Sequence, residues 1–253
     1  MKLNDKVALV TGGAGGIGSV IARQLCEAGA TVVIADIEAG AQAEATVSAI
    51  AAAGGKIYMM ELDQRSPEAI THCARAIEQN HGRLDILVNN AAWNIRIPFD
   101  DLDALTLEIW DRISETNFRG PFLLVRACAA LLKAGGGGHV VNISSVGGLH
   151  PIGSSIAYSA SKAGLNHLTR CLAVAMAPEV SVNCIASGFV MNTGMSNRAV
   201  DPATQEAAGK RSLLGHATQP QDIAAQVLTF VTSTSMTGQT VLIDAGLADG
   251  HCL

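Results

Sequence analysis

Apolar residues fall in short unbroken runs separated by longer stretches of helical spacing. Residues 6–10 (KVALV), 31–35 (TVVIA), 85–89 (DILVN) and 139–143 (HVVNI) read as strands buried on both faces. Residues 56–62, 180–185 and 241–244 supply three more. Between them, residues 17–28 repeat at helix period and close at Gly29. Residues 38–53 are alanine-rich and stop at Gly54-Gly55, and 67–79 start with Pro67 in the first turn. Two helical stretches follow near 103–114 and 118–133, and a long one covers 157–176. Strand–helix alternation of this kind predicts right-handed crossovers: an α/β, doubly wound, Rossmann-type parallel sheet with helices on both faces. No repeat, low-complexity segment or linker interrupts it. The one break is 190–218, which lacks regular apolar spacing and contains Gly194, Pro202, Gly209 and Gly215, the character of a substrate lid.

Thr11-Gly12-Gly13-Ala14-Gly15-Gly16-Ile17-Gly18 lies between the first strand and the first helix. Glycines there let the backbone approach a pyrophosphate, which meets the free N–H groups of the helix start. Asp36 ends the second strand, where a carboxylate can accept both hydroxyls of an adenosine ribose and repel a 2′-phosphate. No Arg or Lys lies in the glycine turn or directly after Asp36 to offset that repulsion. The plainer reading of Asp36 is a solvated acid capping the next helix.

Composition narrows the function. The 253 residues carry 17 Lys and Arg against 22 Asp and Glu, for a net charge of −5. No basic stretch suits a phosphate backbone and only nine residues are aromatic, so no nucleic-acid partner is expected. No apolar run approaches the ~20 residues of a membrane span. The N-terminal apolar stretch is too short for a signal peptide, so a cytoplasmic location without a membrane partner is expected. Cysteines 26, 73, 128, 171, 184 and 252 form no CxxC pair and read as small apolar residues in a reducing compartment. The seven histidines show no ligand spacing, so no metal is expected. Asn142-Ile143-Ser144 is a glycosylation sequon by pattern alone. Asp100, Asp101 and Asp103 read as a solvated helix start.

The spacing Thr-Gly-x-x-x-Gly-x-Gly, Asn89-Asn90-Ala91-Ala92 and Tyr158-x-x-x-Lys162 together resemble the short-chain dehydrogenase/reductase family in its compact form of about 250 residues, over nearly the whole chain. The resemblance implies a single domain with about seven strands, and a homotetramer or dimer in which the helices near 118–133 and 157–176 pair with symmetry mates. It implies that Gly12, Gly16, Ile17 and Gly18 line the pyrophosphate. Asp63 would reach the adenine with Gln64 beside it, and Asn89 and Ala91 would follow the adenosine ribose. Val190 would present backbone to the nicotinamide. Asn117 would hold the water of a proton relay. Ser145 is the family serine by its distance from Tyr158, with Ser144 the alternative. Ala92 stands where the family has Gly, Ser187-Gly188 replaces Pro-Gly, and the threonine contact falls on Asn192 or Thr193. The stretch 232–237 is also shorter than usual.

The chemistry of these residues is consistent with that role. A free tyrosine is only about one part in a thousand ionised at pH 7. Lys162 shares a helical face with Tyr158, and its ammonium, with the oxidised nicotinamide's charge, favours the phenolate. Tyr158 is then a general base in oxidation and a general acid in reduction, and Ser145 orients the substrate oxygen; the resemblance implies that Lys162 also holds the nicotinamide ribose. By the positions the resemblance implies, Trp93, Asn94, Ile95, His150, Ile152, Phe189, Met191 and Met195 are the expected substrate wall, mostly apolar. The expected function is NAD-dependent interconversion of a secondary alcohol and a ketone. The alternatives are a 3-oxoacyl carrier-protein reductase and a non-catalytic NAD-binding sensor.

Overall fold

A computed structural model describes residues 3–38, 40–191, 193, 207 and 209–249. Seven strands are described: β1 (Val7–Thr11), β2 (Thr31–Asp36), β3 (Lys56–Glu61), β4 (Ile86–Asn89), β5 (Gly138–Ser145), β6 (Val180–Ser187) and β7 (Thr240–Ile243). They form one parallel sheet in the order β3-β2-β1-β4-β5-β6-β7. The helices flanking it include α1 (Gly16–Glu27), α2 (Ala41–Ala52), α3 (Pro67–His81), α4 (Leu107–Ser114), α5 (Gly120–Ala134), α6 (Ile156–Met176) and α7 (Pro220–Thr232).

Side chains alternate across each strand, so one sheet builds two cores. In β1, Ala8 and Val10 join Ile21, Leu25, Val227 and Phe230 beneath α1 and α7. Val7 and Leu9 join Ile77, Leu124, Leu132 and Leu172 beneath α3, α5 and α6. This two-sided burial explains why the strands read as continuous apolar runs.

Three departures from the sequence pattern matter. First, β5 and β6 each run two residues past the expected end, to Ser145 and Ser187, carrying both serines to the C-terminal edge. Second, α4 and α5 are not separate helices: a π-turn, Glu115–Arg119, joins them and holds Asn117. Third, α7 is an element the apolar pattern left unlisted, although its signals are plain. Pro220 occupies its first turn, the Gln219 N–H donates to Asp222 Oδ2 at 2.8 Å, and Ile223, Ala224, Val227, Phe230 and Val231 are buried on one face.

Of the candidate lid at 190–218, Asn192, residues 194–206, Met195 among them, and residue 208 lie outside the described residues, as does Cys252. Its described ends are tied together: Val190 pairs with Thr218, and the Met191 N–H donates to the Thr218 carbonyl at 3.1 Å.

Beyond β7, Asp244 accepts from the N–H groups of Gly246 and Ala248 at 2.8 and 2.9 Å, and this tight turn puts Ala245 at φ 56°. That left-handed conformation costs a Cβ-bearing residue about 1–2 kcal/mol, offset in part by glycine's greater unfolded-state entropy. Ala245→Gly is therefore expected to stabilise the protein by up to about 1 kcal/mol, a rise of a few degrees in melting temperature by calorimetry. An unchanged or lower midpoint would show that the turn relaxes around Ala245.

Candidate active site

The strand order reverses between β1 and β4, and in such sheets ligands bind in the crevice outside the carboxyl ends of the strands at that point. A cleft of about 740 Å³ opens there. The glycine turn forms one side. Gly12 sits at φ 61°, open to glycine without strain, with its hypothetical Cβ 2.9 Å from Ala91 Cα. A Cβ on Gly18 would strike the Gly12 carbonyl oxygen, and one on Gly16 would stand 2.9 Å from Thr193 Cα. The three glycines are thus required by close packing of the turn, the helix and Thr193, and Gly12, Gly16, Ile17 and Thr193 line the cleft.

At the end of β2, Asp36 lines the cleft, with Oδ2 accepting from the Ala14 N–H at 3.2 Å and Oδ1 from the Ile37 N–H at 2.9 Å. The carboxylate is therefore fixed beside the glycine turn. Gln42 Nε2 donates to the Ala14 carbonyl at 2.9 Å, anchoring α2 to the same turn. Asp63 also lines the cleft, clasped by Arg65 through Nε–Oδ1 3.0 Å and a 2.7 Å bond to Oδ2. The Arg65 hydrogen bond, working against burial, holds the Asp63 carboxyl below the usual carboxylate range. This cradle of glycine backbone, helix N-terminus and carboxylate at the end of β2 fits the adenosine and pyrophosphate of a nicotinamide dinucleotide.

The catalytic candidates gather at the ends of β5 and α6. Tyr158 lies in the first turn of α6, where the Ser155 hydroxyl caps the helix by accepting from the Tyr158 N–H at 3.2 Å. Burial pushes the Tyr158 phenol up, and a hydrogen bond with the Ser145 side chain works against that rise. The helix N-terminus adds a partial positive charge beside it. One turn on, the Lys162 Nζ lies 5.7 Å from the centre of the Tyr158 ring and donates to the Ile143 carbonyl at 2.8 Å. Burial, opposed by nearby Cys184, brings this ammonium down to about 8.

The two serines separate by strand alternation. Ser144 Oγ turns back to donate to the Lys162 carbonyl at 3.1 Å, whereas Ser145 Oγ meets Tyr158 and accepts from the Gly147 N–H at 3.2 Å. The Ser187 hydroxyl donates to the Ser144 carbonyl at 3.2 Å, so a side-chain bond holds the strand end where the family pattern has proline.

Asn117 is fully buried behind the cleft wall. Its Oδ1 accepts from the Trp93 N–H at 2.8 Å, and its Nδ2 donates to the Trp93 carbonyl at 3.0 Å and to Ser161 Oγ at 3.3 Å. Asn89 also lies behind the wall, where its Nδ2 donates to Asn142 Oδ1 at 2.8 Å, so its place is the sheet interior. Neither Asn89 nor Gly18 borders the cleft, whereas Ala91, Gln64 and Val190 do.

On the substrate side, Trp93, Asn94, Ile152 and Phe189 join Ser145 and Tyr158 around the cleft. His150 and Met191 do not border it. The His150 backbone is drawn into the 146–150 turn by a 2.9 Å bond to the Val146 carbonyl, and that of Met191 into the pairing with Thr218. Ile95 is exposed. Sequence reasoning missed Arg112, whose guanidinium stacks 4.2 Å over the Trp93 ring, and the cleft-lining Arg65, Arg96, Gln42, Ser154 and Leu247. Arg112 was findable only as the residue one helical turn before Thr116, a signal that requires knowing that Thr116 faces the cleft.

Comparison with known proteins agrees with this arrangement. The family model described as short chain dehydrogenase matches residues 6–203. The chain is 36% identical over 251 residues to the cyclopentanol dehydrogenase of Comamonas sp. strain NCIMB 9872, covering 97% of this chain and 98% of that protein. It is 32% identical over 255 residues to a 3-oxoacyl-(acyl-carrier-protein) reductase of Thermotoga maritima, covering 98% and 99%. The crystal structure of levodione reductase superposes with a TM-score of 0.90 at 26% identity, over 99% of both chains. The chain belongs to the short-chain dehydrogenase/reductase family, whose members are oxidoreductases that use NAD(P). Among the described residues, no helix is long and apolar enough to cross a membrane.

Proposed function

We propose that the protein interconverts a neutral, mainly apolar secondary alcohol and its ketone, using NAD, within one domain that spans the chain. The observation that carries this reading is the meeting of Ser145, Tyr158 and Lys162 at the end of the cleft whose other end is marked by Asp36. The dinucleotide supplies the hydride acceptor in oxidation and the donor in reduction. Ser145 holds the substrate oxygen, and Tyr158 removes or returns its proton. Lys162 steadies the phenolate and holds the nicotinamide ribose, and Asn117 keeps the relay to water in place. Trp93, Ile152 and Phe189 give apolar walls beside the polar Asn94, Ser154 and Arg112, and the apolar part suits an alicyclic or aryl alcohol better than a polyol. The naming of one relative as a cyclopentanol dehydrogenase supports that class.

Self-association, as a homotetramer or dimer, is part of the proposal. Leu107 and Val174 are 81% and 82% exposed, and Trp110, Phe118 and Phe122 are each about 40% exposed, on α4, the π-turn, α5 and α6. Light scattering at micromolar concentration should give a multiple of 26.1 kDa; a monomer overturns this part. A reducing, cytoplasmic setting accords with buried free thiols at Cys26, Cys73, Cys128 and Cys184.

Tyr158→Phe keeps the ring and removes the proton. Turnover should fall about 10²–10⁴-fold while NADH affinity, read by its fluorescence, stays within a few-fold of wild type. In the intact enzyme, oxidation should accelerate as pH rises because it needs the phenolate. Reduction should slow over the same range because it needs the phenol. Wild-type turnover in Tyr158→Phe, or a better rate with a polyol than with cyclic alcohols, would remove the reading.

NAD should be preferred because of Asp36. A 2′-phosphate would set two anions about 4 Å apart, at a cost on the order of 1–4 kcal/mol per unit-charge pair. That corresponds to roughly five- to several-hundredfold in kcat/KM. Asp36→Ala should narrow the ratio mainly by weakening NAD, and a cation in place of Ile37 should be needed to reverse it. Equal use of both cofactors by the wild type would overturn Asp36 as the source of the preference.

A further inference from the structure

The Gln64 side chain is buried, and its amide joins two turns. Nε2 donates to the Ala91 carbonyl at 3.1 Å and to the Thr116 carbonyl at 2.7 Å. The second bond has a specific cause. In the π-turn the Gly120 N–H bonds the Glu115 carbonyl, five residues back. The same register would assign the Thr116 carbonyl the N–H of residue 121, which is proline and has none. Gln64 supplies the missing donor from outside the helix. Gly120 keeps the approach open, since a Cβ there would stand 2.9 Å from Gln64 O and 3.1 Å from Gln64 Cγ.

Asn117, the next residue, grips the backbone of Trp93 on both sides. A closed ring results: Ala91, Gln64, Thr116, Asn117, Trp93 and back along the chain to Ala91. Gln64 Oε1 is buried with no partner, an energetic penalty that an aliphatic side chain would avoid. The amide is therefore in place for its two N–H groups.

We propose that Gln64 is a positioning residue that locks the Asn117 turn to the Ala91 turn, so that cofactor binding along Ala91 sets the geometry of the proton relay. This rests on the reading of Asn117 as a relay residue given above. Gln64 acts through Thr116 and Asn117 and has no part in contacting the reacting atoms.

The test uses Gln64→Leu, which removes both donors at similar volume, and Gln64→Glu, which places a carboxylate against two carbonyls at neutral pH and can donate one O–H when protonated. For Gln64→Leu, kcat should fall roughly 10–100-fold, the scale of a small misplacement, while KM and NADH affinity stay within about threefold. For Gln64→Glu, activity relative to wild type at the same pH should rise as pH falls and the carboxyl protonates. Hydrogen exchange of the 112–120 segment supplies a readout independent of turnover. It should accelerate in Gln64→Leu and slow again in Gln64→Glu at low pH. If exchange shifts this way but wild type oxidises no alcohol offered, the catalytic reading fails and the positioning role stands. Unchanged exchange and kcat in Gln64→Leu would overturn the proposal. So would a parallel loss of kcat, NADH affinity and melting temperature, with a pH-independent ratio for Gln64→Glu. If Gln64→Leu does not fold, the pH ratio and exchange of Gln64→Glu decide alone.

Discussion

Burial acts on Tyr158 and Lys162 in opposite directions. It raises the phenol and lowers the ammonium, so each is driven toward its neutral form. For Tyr158 the shift leads away from proton exchange near neutral pH, whereas for Lys162 it leads toward it. In the proposed reading they act as a phenolate–ammonium pair in which each charge offsets the other's desolvation, and the partial positive charge of the α6 N-terminus favours the phenolate. Much of the surrounding structure serves to hold that pair in place. Ser155 caps α6 at the tyrosine, Ile143 takes the lysine's hydrogen bond, and Ser144 ties β5 to the carbonyl of the same lysine.

The sheet explains why these groups meet the cofactor cradle. All seven strands are parallel, so every strand delivers its last residue to one edge. Thr11 leads into the glycine turn there, Asp36 ends β2, Asn89 ends β4, and Ser145 and Ser187 end β5 and β6. Register adds a second constraint. Asn89 at the end of β4 pairs with Asn142, short of the end of β5, whereas Ser145 pairs with Ser187, so β5 and β6 end together and β4 is staggered behind them. That stagger makes β5 project past β4 and leaves room above Asn89 for the cleft.

What the sequence made legible follows from local rules. Tyr158 and Lys162 are four apart in a helix, and the glycine turn sits between a strand and a helix; spacing alone conveys both. The choice between Ser144 and Ser145 was not local, because both end the same strand, and only the position of α6 decides which hydroxyl turns back and which meets Tyr158. The π-turn was hidden for a similar reason. It is a change of hydrogen-bond register rather than of composition, and its one trace is Pro121, which also suits the start of a helix. Gln64 beside Asp63 was placed near the adenine by resemblance, while its buried amide faces Ala91 and Thr116. By family position His150 and Met191 belong to the substrate wall, but a family position does not encode how a turn faces in this chain.

Charge is distributed in the cleft unlike in the chain as a whole. The protein carries −5, yet the cleft borders include Arg65, Arg96, Arg112 and Lys162 against Asp36 and Asp63. Such local fields in a concave, low-dielectric space attract anionic ligands regardless of the net charge. The two carboxylates differ in how they are held. Asp63 is neutralised by the Arg65 clasp, whereas Asp36 receives backbone N–H groups. Its negative charge therefore persists within a positively biased cleft. In the proposed reading the cations favour entry of any pyrophosphate-bearing cofactor. Asp36 acts over only a few ångströms, where solvent screening is weakest, and separates a ribose hydroxyl from a ribose phosphate. General attraction and specific rejection can then coexist in one cleft because they operate over different distances.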